Sequence, residues 1–159
     1  MIVGIDPGLS GCIVLLGPNN TYIGHLHMPT MKLGSKNRVN GAAVAAFLRE
    51  QPLQHAYLEQ VGAMPGGGER KMGAASAFSF GHGAGVVEGL LQGLGIPYTL
   101  VPPPTWKKRA ALQGQDKDAP RCRAIQLYPG VRDLDLKGKG QALADAMLIA
   151  RYGAEVVGG

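Results

Sequence analysis

Three acidic residues of this 159-residue chain lie within apolar segments, where a charged side chain needs a specific partner. Asp6, Glu59 and Asp145 stand in the contexts IVGIDPG, AYLEQ and ADAMLIA. An unpaired carboxylate in such surroundings is energetically costly. A single one could be a local hydrogen-bond anchor, but three of them favour a shared site. We expect Asp6 and Glu59 to end neighbouring strands and Asp145 to join them from a helix.

Clustered carboxylates are ligands that hard divalent cations such as Mg²⁺ and Mn²⁺ prefer. Two such ions about 4 Å apart activate water and stabilise the entering and leaving oxygens in phosphodiester hydrolysis. The sequence contains no G-x-x-x-x-G-K-[ST] phosphate loop, no HExxH, no zinc-spaced Cys/His cluster and no G-x-S-x-G nucleophile elbow. The residue types therefore favour metal-dependent hydrolysis of a phosphodiester.

Positive charge is concentrated in one segment of the chain. Lys and Arg total 16 and Asp and Glu total 11, which gives a net charge of +5. Residues 101–140 contain nine basic and four acidic residues, so this segment carries the whole excess of five. A local excess predicts a surface that binds a polyanion, although a solvated basic surface fits the composition equally well.

The strands that position the carboxylates follow from the hydrophobic pattern. Three short segments joined by tight turns predict an antiparallel meander, and two later segments add parallel strands between helices. The predicted strands are Ile2–Asp6, Cys12–Leu16, Thr21–Met28, His55–Gln60 and Pro97–Val101. This order indicates a single α/β domain over residues 1–159, with a five-stranded mixed sheet flanked by helices.

Helices are predicted between and after these strands. Asn40 is expected to cap the first and Thr105 the third, which carries Trp106. The predicted spans are Gly41–Gln51, Gly73–Gly95, a short helix after Thr105, Asp118–Tyr128 and Gln141–Tyr152. We expect Pro29–Arg38 and Pro129–Gly140 to be loops.

Small residues recur at every fourth position of the long second helix. They are Gly73, Ala77, Gly81, Gly85, Gly89 and Gly93. Each interior Gly costs about 1 kcal/mol of helix propensity relative to Ala, so close packing on this smooth face must compensate. Packing against the domain's own sheet is slightly favoured, and a subunit interface is the alternative.

Several motifs, taken in order, resemble one known family. GIDPGLSG (4–11), LEQV (58–61), FSFGHGAGVVEGLLQGLGIPYTLVPPPTWKK (78–108), DKDAPRCRAIQLYP (116–129) and ADAMLIARYG (144–153) are similar to RuvC-type Holliday-junction resolvases, in particular their phage-borne and plant-organelle branch. The resemblance covers nearly the whole chain and implies the ribonuclease H-like fold.

The resemblance further implies a homodimer that cuts two symmetric strands of a four-way DNA junction. Asp6, Glu59 and Asp145 would be catalytic and would bind Mg²⁺ or Mn²⁺, two ions per active site, with no small-molecule cofactor. The family usually has a further acidic or histidine ligand one turn before the last aspartate, where this chain has Gln141. Gln141 could coordinate weakly through its carbonyl oxygen, and Asp133 or Asp135 is a less favoured substitute.

The basic segment and the loop after Glu59 are the predicted DNA-binding surfaces. Lys117 and Lys139 are expected nearest the scissile phosphate, with catalytic roles, and the other cations along the arms. The remaining predicted DNA-binding cations are Arg70, Lys71, Lys107, Lys108, Arg109, Arg121 and Lys137. In the loop after Glu59, Met64 could wedge into the junction centre or simply pack locally.

Other functions stay open at this point. The Gln141 departure allows a junction-binding protein with a weakened metal site. A nuclease of the same fold could instead act on other branched DNA, on single strands or on RNA. A sugar-kinase-like nucleotide-binding protein is disfavoured because 159 residues cannot supply two lobes.

The predicted location is the cytoplasm of a bacterial or phage-infected cell. The N-terminal residues lack the basic region and cleavage site of a signal peptide. The longest quasi-apolar stretch contains His82, Glu88 and Gln92, which argues against a membrane partner.

Overall fold

A computed structural model describes residues 1–62 and 73–157 of the chain. The strands are β1 (Ile2–Asp6), β2 (Cys12–Leu16), β3 (Tyr22–His27), β4 (Thr30–Leu33), β5 (Lys36–Val39), β6 (His55–Glu59) and β7 (Tyr98–Val101). Five of them form one sheet in the order β3-β2-β1-β6-β7. The predicted five-stranded sheet is confirmed.

The sheet is mixed, as the alternation of segments predicts. β1, β2 and β3 pair antiparallel, whereas β1, β6 and β7 pair in parallel. Carboxyl ends of parallel strands meet at one edge of a sheet. Asp6 and Glu59, the last residues of β1 and β6, therefore lie at the same edge, which we call the carboxyl edge.

Helices cover both faces of the sheet. They are α1 (Gly41–Arg49), α2 (Ala74–Gly93), α3 (Pro103–Arg109), α4 (Ala119–Leu127) and α5 (Lys137–Val157). α1 and α2 pack on one face through Val44, Leu48, Val87 and Leu91, and α5 packs with α3 and α4 on the other. None of the helices within the described ranges is long and apolar enough to cross a membrane.

The segment predicted as the loop Pro29–Arg38 is instead a β-hairpin. β4 and β5 pair antiparallel, from Thr30 opposite Val39 to Leu33 opposite Lys36. Gly34 occupies the first turn position with φ of +61°, a conformation that glycine adopts without steric cost. The apolar residues of β4 alternate with polar ones in a run of only four, which is too short a pattern to distinguish a strand from a loop.

Two helix predictions differ at their N-termini. α5 begins at Lys137 rather than Gln141, and a short 3₁₀ helix, Arg132–Asp135, precedes it, so Pro129–Gly140 is not a loop. Gly138 and Gly140 lower helix propensity, but a Cβ at Gly140 would stand only 2.5 Å from the Leu134 carbonyl oxygen, so tertiary packing requires glycine there. Thr105 lies inside α3 and Pro102 is its N-cap. Asn40 caps α1 as predicted, accepting a hydrogen bond from the Ala43 amide at 3.2 Å.

The glycine stripe of α2 does not pack against the sheet, so the favoured prediction for it was wrong. Among the described residues, no atom lies within 4 Å of where a Cβ would stand at Gly81, Gly85, Gly89 or Gly93. The helix instead buries Gly83, Val87 and Leu91. The stripe therefore forms an open face of backbone on the surface of the chain.

Candidate active site

Asp6 and Glu59 point to the same face of the sheet because side chains alternate along a strand. Gly4 and Tyr57, two residues before them, both face α5: a Cβ at Gly4 would collide with the backbone of Ala146 and Ala150, and one at Gly153 would collide with the Tyr57 ring. The two carboxylates therefore project toward α5 at the carboxyl edge.

Asp145 reaches the same place because α5 approaches β1 closely. Only glycine at position 4 leaves room for the backbone of Ala146, the neighbour of Asp145. Burial of Leu143, Ala144, Ala146 and Met147 fixes the helix rotation, which leaves Asp145 half-buried beside the strand ends. A single close contact between α5 and β1 therefore places Asp145 at the edge of the sheet where β1 and β6 end.

Each carboxylate accepts a hydrogen bond from a nearby N–H group. Asp6 Oδ1 accepts from the Gly8 amide at 3.2 Å. Glu59 Oε1 accepts from Trp106 Nε1 at 3.0 Å, and Asp145 Oδ1 accepts from Gln141 Nε2 at 3.1 Å. Gln141 thus lies one turn before Asp145, as predicted, and its amide group holds the carboxylate in place.

Burial disfavours the charged form of all three carboxyl groups, and neighbouring carboxylates add to this effect for Glu59 and Asp145. Burial raises the pKa of Asp6, and burial together with repulsion from Asp6 raises the pKa of Glu59. The effect is largest for Asp145, where burial and the charges of Asp6 and Glu59 raise the pKa to about 7.

The donor set suits a hard divalent cation, although the side chains are not gathered around one point. Across residues 1–62 and 73–157, no three His, Cys, Asp or Glu side chains are close enough to coordinate one ion. Glu59 and Asp145 are turned toward their N–H donors instead. A divalent cation would offset the repulsion that raises the pKa of Asp145, so three carboxylates at this edge fit Mg²⁺ or Mn²⁺.

Lys107 is the cation whose charge influences the pKa values of the carboxylates. Its charge lowers the pKa of both Glu59 and Asp145, against the effect of burial. Its Nζ lies 5.3 Å from the centre of the Trp106 ring, within the range of a cation–π contact. Lys107 was predicted to bind the arms of the junction, whereas the structure places its charge beside Glu59 and Asp145.

The other predicted DNA-binding residues lie in three kinds of surroundings. Arg109 pairs with Glu155 at 2.7 Å, and Arg121 pairs with Asp118 at 2.7 Å while donating to the Leu134 carbonyl. The exposed ones are Lys108, Lys117, Lys137 and Lys139, with the last two in the first turn of α5. Met64, Arg70 and Lys71 lie outside the described residues.

Trp106 is the site residue whose role the sequence analysis missed. It is buried, with only 1% of its surface exposed. Its N–H bond to Glu59 joins α3 to the end of β6. A buried Trp needs an acceptor for its N–H, and a nearby half-buried carboxylate is such an acceptor. The sequence contains a single Trp. Its need for a hydrogen-bond acceptor is the signal from which the contact with Glu59 could have been predicted.

Comparison with known proteins supports the architecture. No protein-family model matches the sequence, and no curated protein matches it. The structure is similar to Thermus thermophilus RuvC in complex with a Holliday junction substrate, with a TM-score of 0.56, 18% identity and coverage of 99% of this chain and 96% of that one. A second structure of Thermus thermophilus RuvC gives the same TM-score and identity, with coverage of 98% of this chain and 96% of that one. The chain therefore has the ribonuclease H-like α/β fold of RuvC, as its ordered motifs predicted.

Proposed function

We propose that the protein is a metal-dependent endodeoxyribonuclease that resolves four-way DNA junctions. The observation that carries this proposal is the placement of Asp6, Glu59 and Asp145 at the carboxyl edge, where burial raises the pKa of all three and neighbouring carboxylates add to the rise for Glu59 and Asp145. The likeness to a RuvC structure that contains a Holliday junction supports the choice of substrate.

Asp6, Glu59 and Asp145 would hold Mg²⁺ or Mn²⁺, with two ions in each active site. When bound, such ions supply an activated water and stabilise charge on the phosphate oxygens. Trp106 keeps the Glu59 carboxylate at the end of β6, and Gln141 does the same for Asp145. Lys107 adds positive charge beside the carboxylates, where it would attract the scissile phosphate.

The exposed cations of the basic segment would bind the phosphates of the arms. Within the described ranges, Lys108, Lys117, Lys137 and Lys139 form no ion pair with a carboxylate. They are therefore free to neutralise DNA phosphates, and Lys117 and Lys139 remain the residues predicted nearest the cut. Arg121, whose side chain is only 16% exposed and is engaged within the chain, contributes least.

A homodimer would match the two-fold character of the junction, which must be nicked twice. The open glycine face of α2 is the proposed dimer interface. A helix of a second chain can come close to this face because the glycines have no side chains. This close packing would offset the helix propensity lost at four exposed glycines.

The decisive experiment uses a mobile four-way junction with Mg²⁺ or Mn²⁺. The wild-type protein should introduce paired symmetric nicks, and Asp6→Asn should abolish cleavage while it preserves junction binding. Competition with linear duplex, single-stranded DNA and RNA tests the substrate. Cleavage that persists in Asp6→Asn, or a preference for one of the competitors, would contradict the proposal.

A second candidate function is junction binding with little cleavage. It is favoured by Gln141, which donates to Asp145 at the position where the resemblance implies a further ligand. Gln141→Asp should then create cleavage activity in a protein that binds junctions without cutting them. Ala142 is the neighbouring position, but it is buried in the core and an acid there would destabilise the fold.

A further inference from the structure

The β4–β5 hairpin is a concentrated source of positive charge that the basic segment 101–140 does not include. Residues 30–39 contain Lys32, Lys36 and Arg38 and no acidic residue. Lys32 and Lys36 are exposed and Arg38 is half-buried. In the part of the chain that the structure describes, none of the three forms an ion pair.

The base of the hairpin is fixed although its strands are exposed. The Asn40 amide donates to the Pro29 carbonyl at 2.8 Å, and the Met28 amide donates to the Gly11 carbonyl at 2.9 Å. Met28 and Val39 are buried at 6% and 5% exposure. An isolated two-stranded sheet is only marginally stable in water, so this anchoring allows the hairpin to project from the molecule as a defined ribbon.

The hairpin projects from the carboxyl edge of the main sheet. β3 ends at His27, which pairs with Cys12, and Cys12 pairs in turn with Asp6. A Cβ at Gly83 of α2 would stand 3.3 Å from Val39 Cγ2 and 3.4 Å from the carbonyl oxygen of Pro7, the residue after Asp6. The base of the ribbon is therefore next to the loop that follows the first carboxylate.

Cations lie on both faces of the ribbon, and the exposed apolar side chains lie on one face. Cross-strand partners point to the same side, so Leu33 and Lys36 share one face, while Lys32 and Asn37 share the other. The apolar side chains Met31 and Leu33 are 41% and 58% exposed. A two-stranded ribbon fits the width of a DNA major groove, where cations on both faces meet the phosphates of both strands.

We propose that the β4–β5 hairpin binds a duplex arm of the DNA substrate, lying in a groove with Lys32 and Lys36 on phosphates. This inference rests on the proposed function and adds a second DNA-contacting element beside the active site. The ribbon has the charge complementary to DNA and a fixed base beside the loop after Asp6.

The first test measures junction affinity as a function of salt for Lys32→Ala, Lys36→Ala and the double variant. Each lost phosphate contact should reduce the slope of log affinity against log salt concentration by about 0.9. The double variant should bind the junction at least about tenfold more weakly at about 0.1 M salt. Arg49→Ala is the control, because Arg49 is exposed at the end of α1, which leads to the start of β6 and the opposite edge of the sheet. It removes one charge and should leave affinity and slope unchanged.

Outcomes of this test separate the hairpin from the proposed function. If the wild-type protein binds and cuts junctions but the double variant retains its affinity and salt slope, the hairpin proposal is wrong and the function stands. If the wild-type protein shows no preference for branched DNA, the proposed function itself fails.

A second test identifies what the ribbon contacts. Ser35→Cys at the exposed turn, with Cys122→Ser to remove the exposed native thiol, allows attachment of a photo-crosslinker to the hairpin. With junction DNA present, crosslinks should form to an arm. Glu50→Cys, at the exposed residue that follows α1, should give none. Crosslinks from position 35 to a second copy of the chain rather than to DNA would overturn the proposal.

Discussion

At the scale of single residues, the Trp106–Glu59 hydrogen bond determines where one carboxylate points. A Glu side chain has several rotamers, and a buried donor selects one of them. Trp106 is itself fixed by packing with Leu112, Leu148 and other residues of its core cluster. The geometry of the proposed metal site therefore depends on a residue that would touch neither metal nor DNA.

Trp106→Phe should keep the packing and remove the N–H donor. Hydrogen bonds to charged groups contribute about 1.5–3 kcal/mol, so cleavage should fall roughly 10–100-fold and require more Mg²⁺ for half-maximal rate. Junction binding should stay unchanged in a gel-shift titration. Leu112→Val, a packing change in the same cluster, is the control. An unaltered Mg²⁺ dependence in Trp106→Phe would contradict a positioning role.

The raised pKa of Asp145 makes metal-free stability depend on pH. Its pKa is about 7 in the folded protein against an ordinary 3.8, so the folded chain binds this proton more tightly than the unfolded chain. Its destabilising contribution is absent below pH of about 4, grows as pH rises toward 7 and is complete above that. Asp145→Asn should therefore raise the melting temperature in EDTA by several degrees at pH 8.

The same substitution should have little effect on the melting temperature near pH 4.5. Added Mg²⁺ should stabilise the wild-type protein at pH 8 but not Asp145→Asn to the same extent. Glu50→Gln changes an exposed carboxylate and should leave the melting temperature unchanged at both pH values. If Asp145→Asn raised the melting temperature equally at both pH values, the charge of Asp145 would not be the cause of the increase.

At the scale of elements, the approach of α5 to β1 requires glycine at position 4. A Cβ there would collide with the α5 backbone, which cannot move aside as a flexible side chain can. Gly4→Ala should destabilise the fold by about 1–3 kcal/mol and displace Asp145 from Asp6. Urea unfolding measures the first effect and the cleavage rate the second.

Gly24→Ala provides the matched control for this prediction. Gly24 lies in β3 of the same sheet, and no described atom stands within 4 Å of where its Cβ would be. This variant should unfold at the same urea concentration as the wild-type protein or a higher one. Equal stabilities of Gly4→Ala and Gly24→Ala would contradict the close-approach argument.

Most elements could be predicted from the sequence, because long hydrophobic patterns and turn residues determine them locally. All five sheet strands were predicted to within about two residues at each end. The β4–β5 hairpin was missed because four-residue strands have almost no pattern. The start of α5 was missed because Gly138 and Gly140 weaken a local helix signal, while packing on the 3₁₀ helix decides the outcome.

The site was predictable only in part. The three carboxylates were predicted to share a site because acidic residues in apolar segments are conspicuous in a sequence. Their hydrogen bonds to Trp106 and Gln141, and the nearness of Lys107, depend on how α3 and α5 dock on the sheet. Such docking results from packing among residues distant in sequence, which no local pattern contains.

At the scale of the whole molecule, the open face of α2 is the surface through which two chains would associate. Gly85→Glu places a charged side chain on that face, where the described part of the chain offers no atom to collide with. Helix propensity improves, so the monomer should stay folded. Sedimentation velocity should show a dimer for the wild-type protein and a monomer for Gly85→Glu.

Gly130→Glu is the matched control for the dimer prediction. It adds the same charge at an exposed loop position with open space around it. This variant should remain dimeric, whereas Gly85→Glu should be monomeric and should lose paired nicking. A dimer that persists in Gly85→Glu would move the interface away from α2.

The packing of α5 on β1 also affects when the protein becomes competent during its synthesis. Asp6 and Glu59 both lie within the first 59 residues, but Asp145 joins them only once α5, from a distant part of the sequence, docks on the sheet beside Gly4. α5 is the last helix along the chain, so this contact cannot form before its residues have been synthesised. A nascent or partly folded chain therefore carries Asp6 and Glu59 without their third partner, and whatever chemistry the carboxylates perform is restricted to complete native molecules.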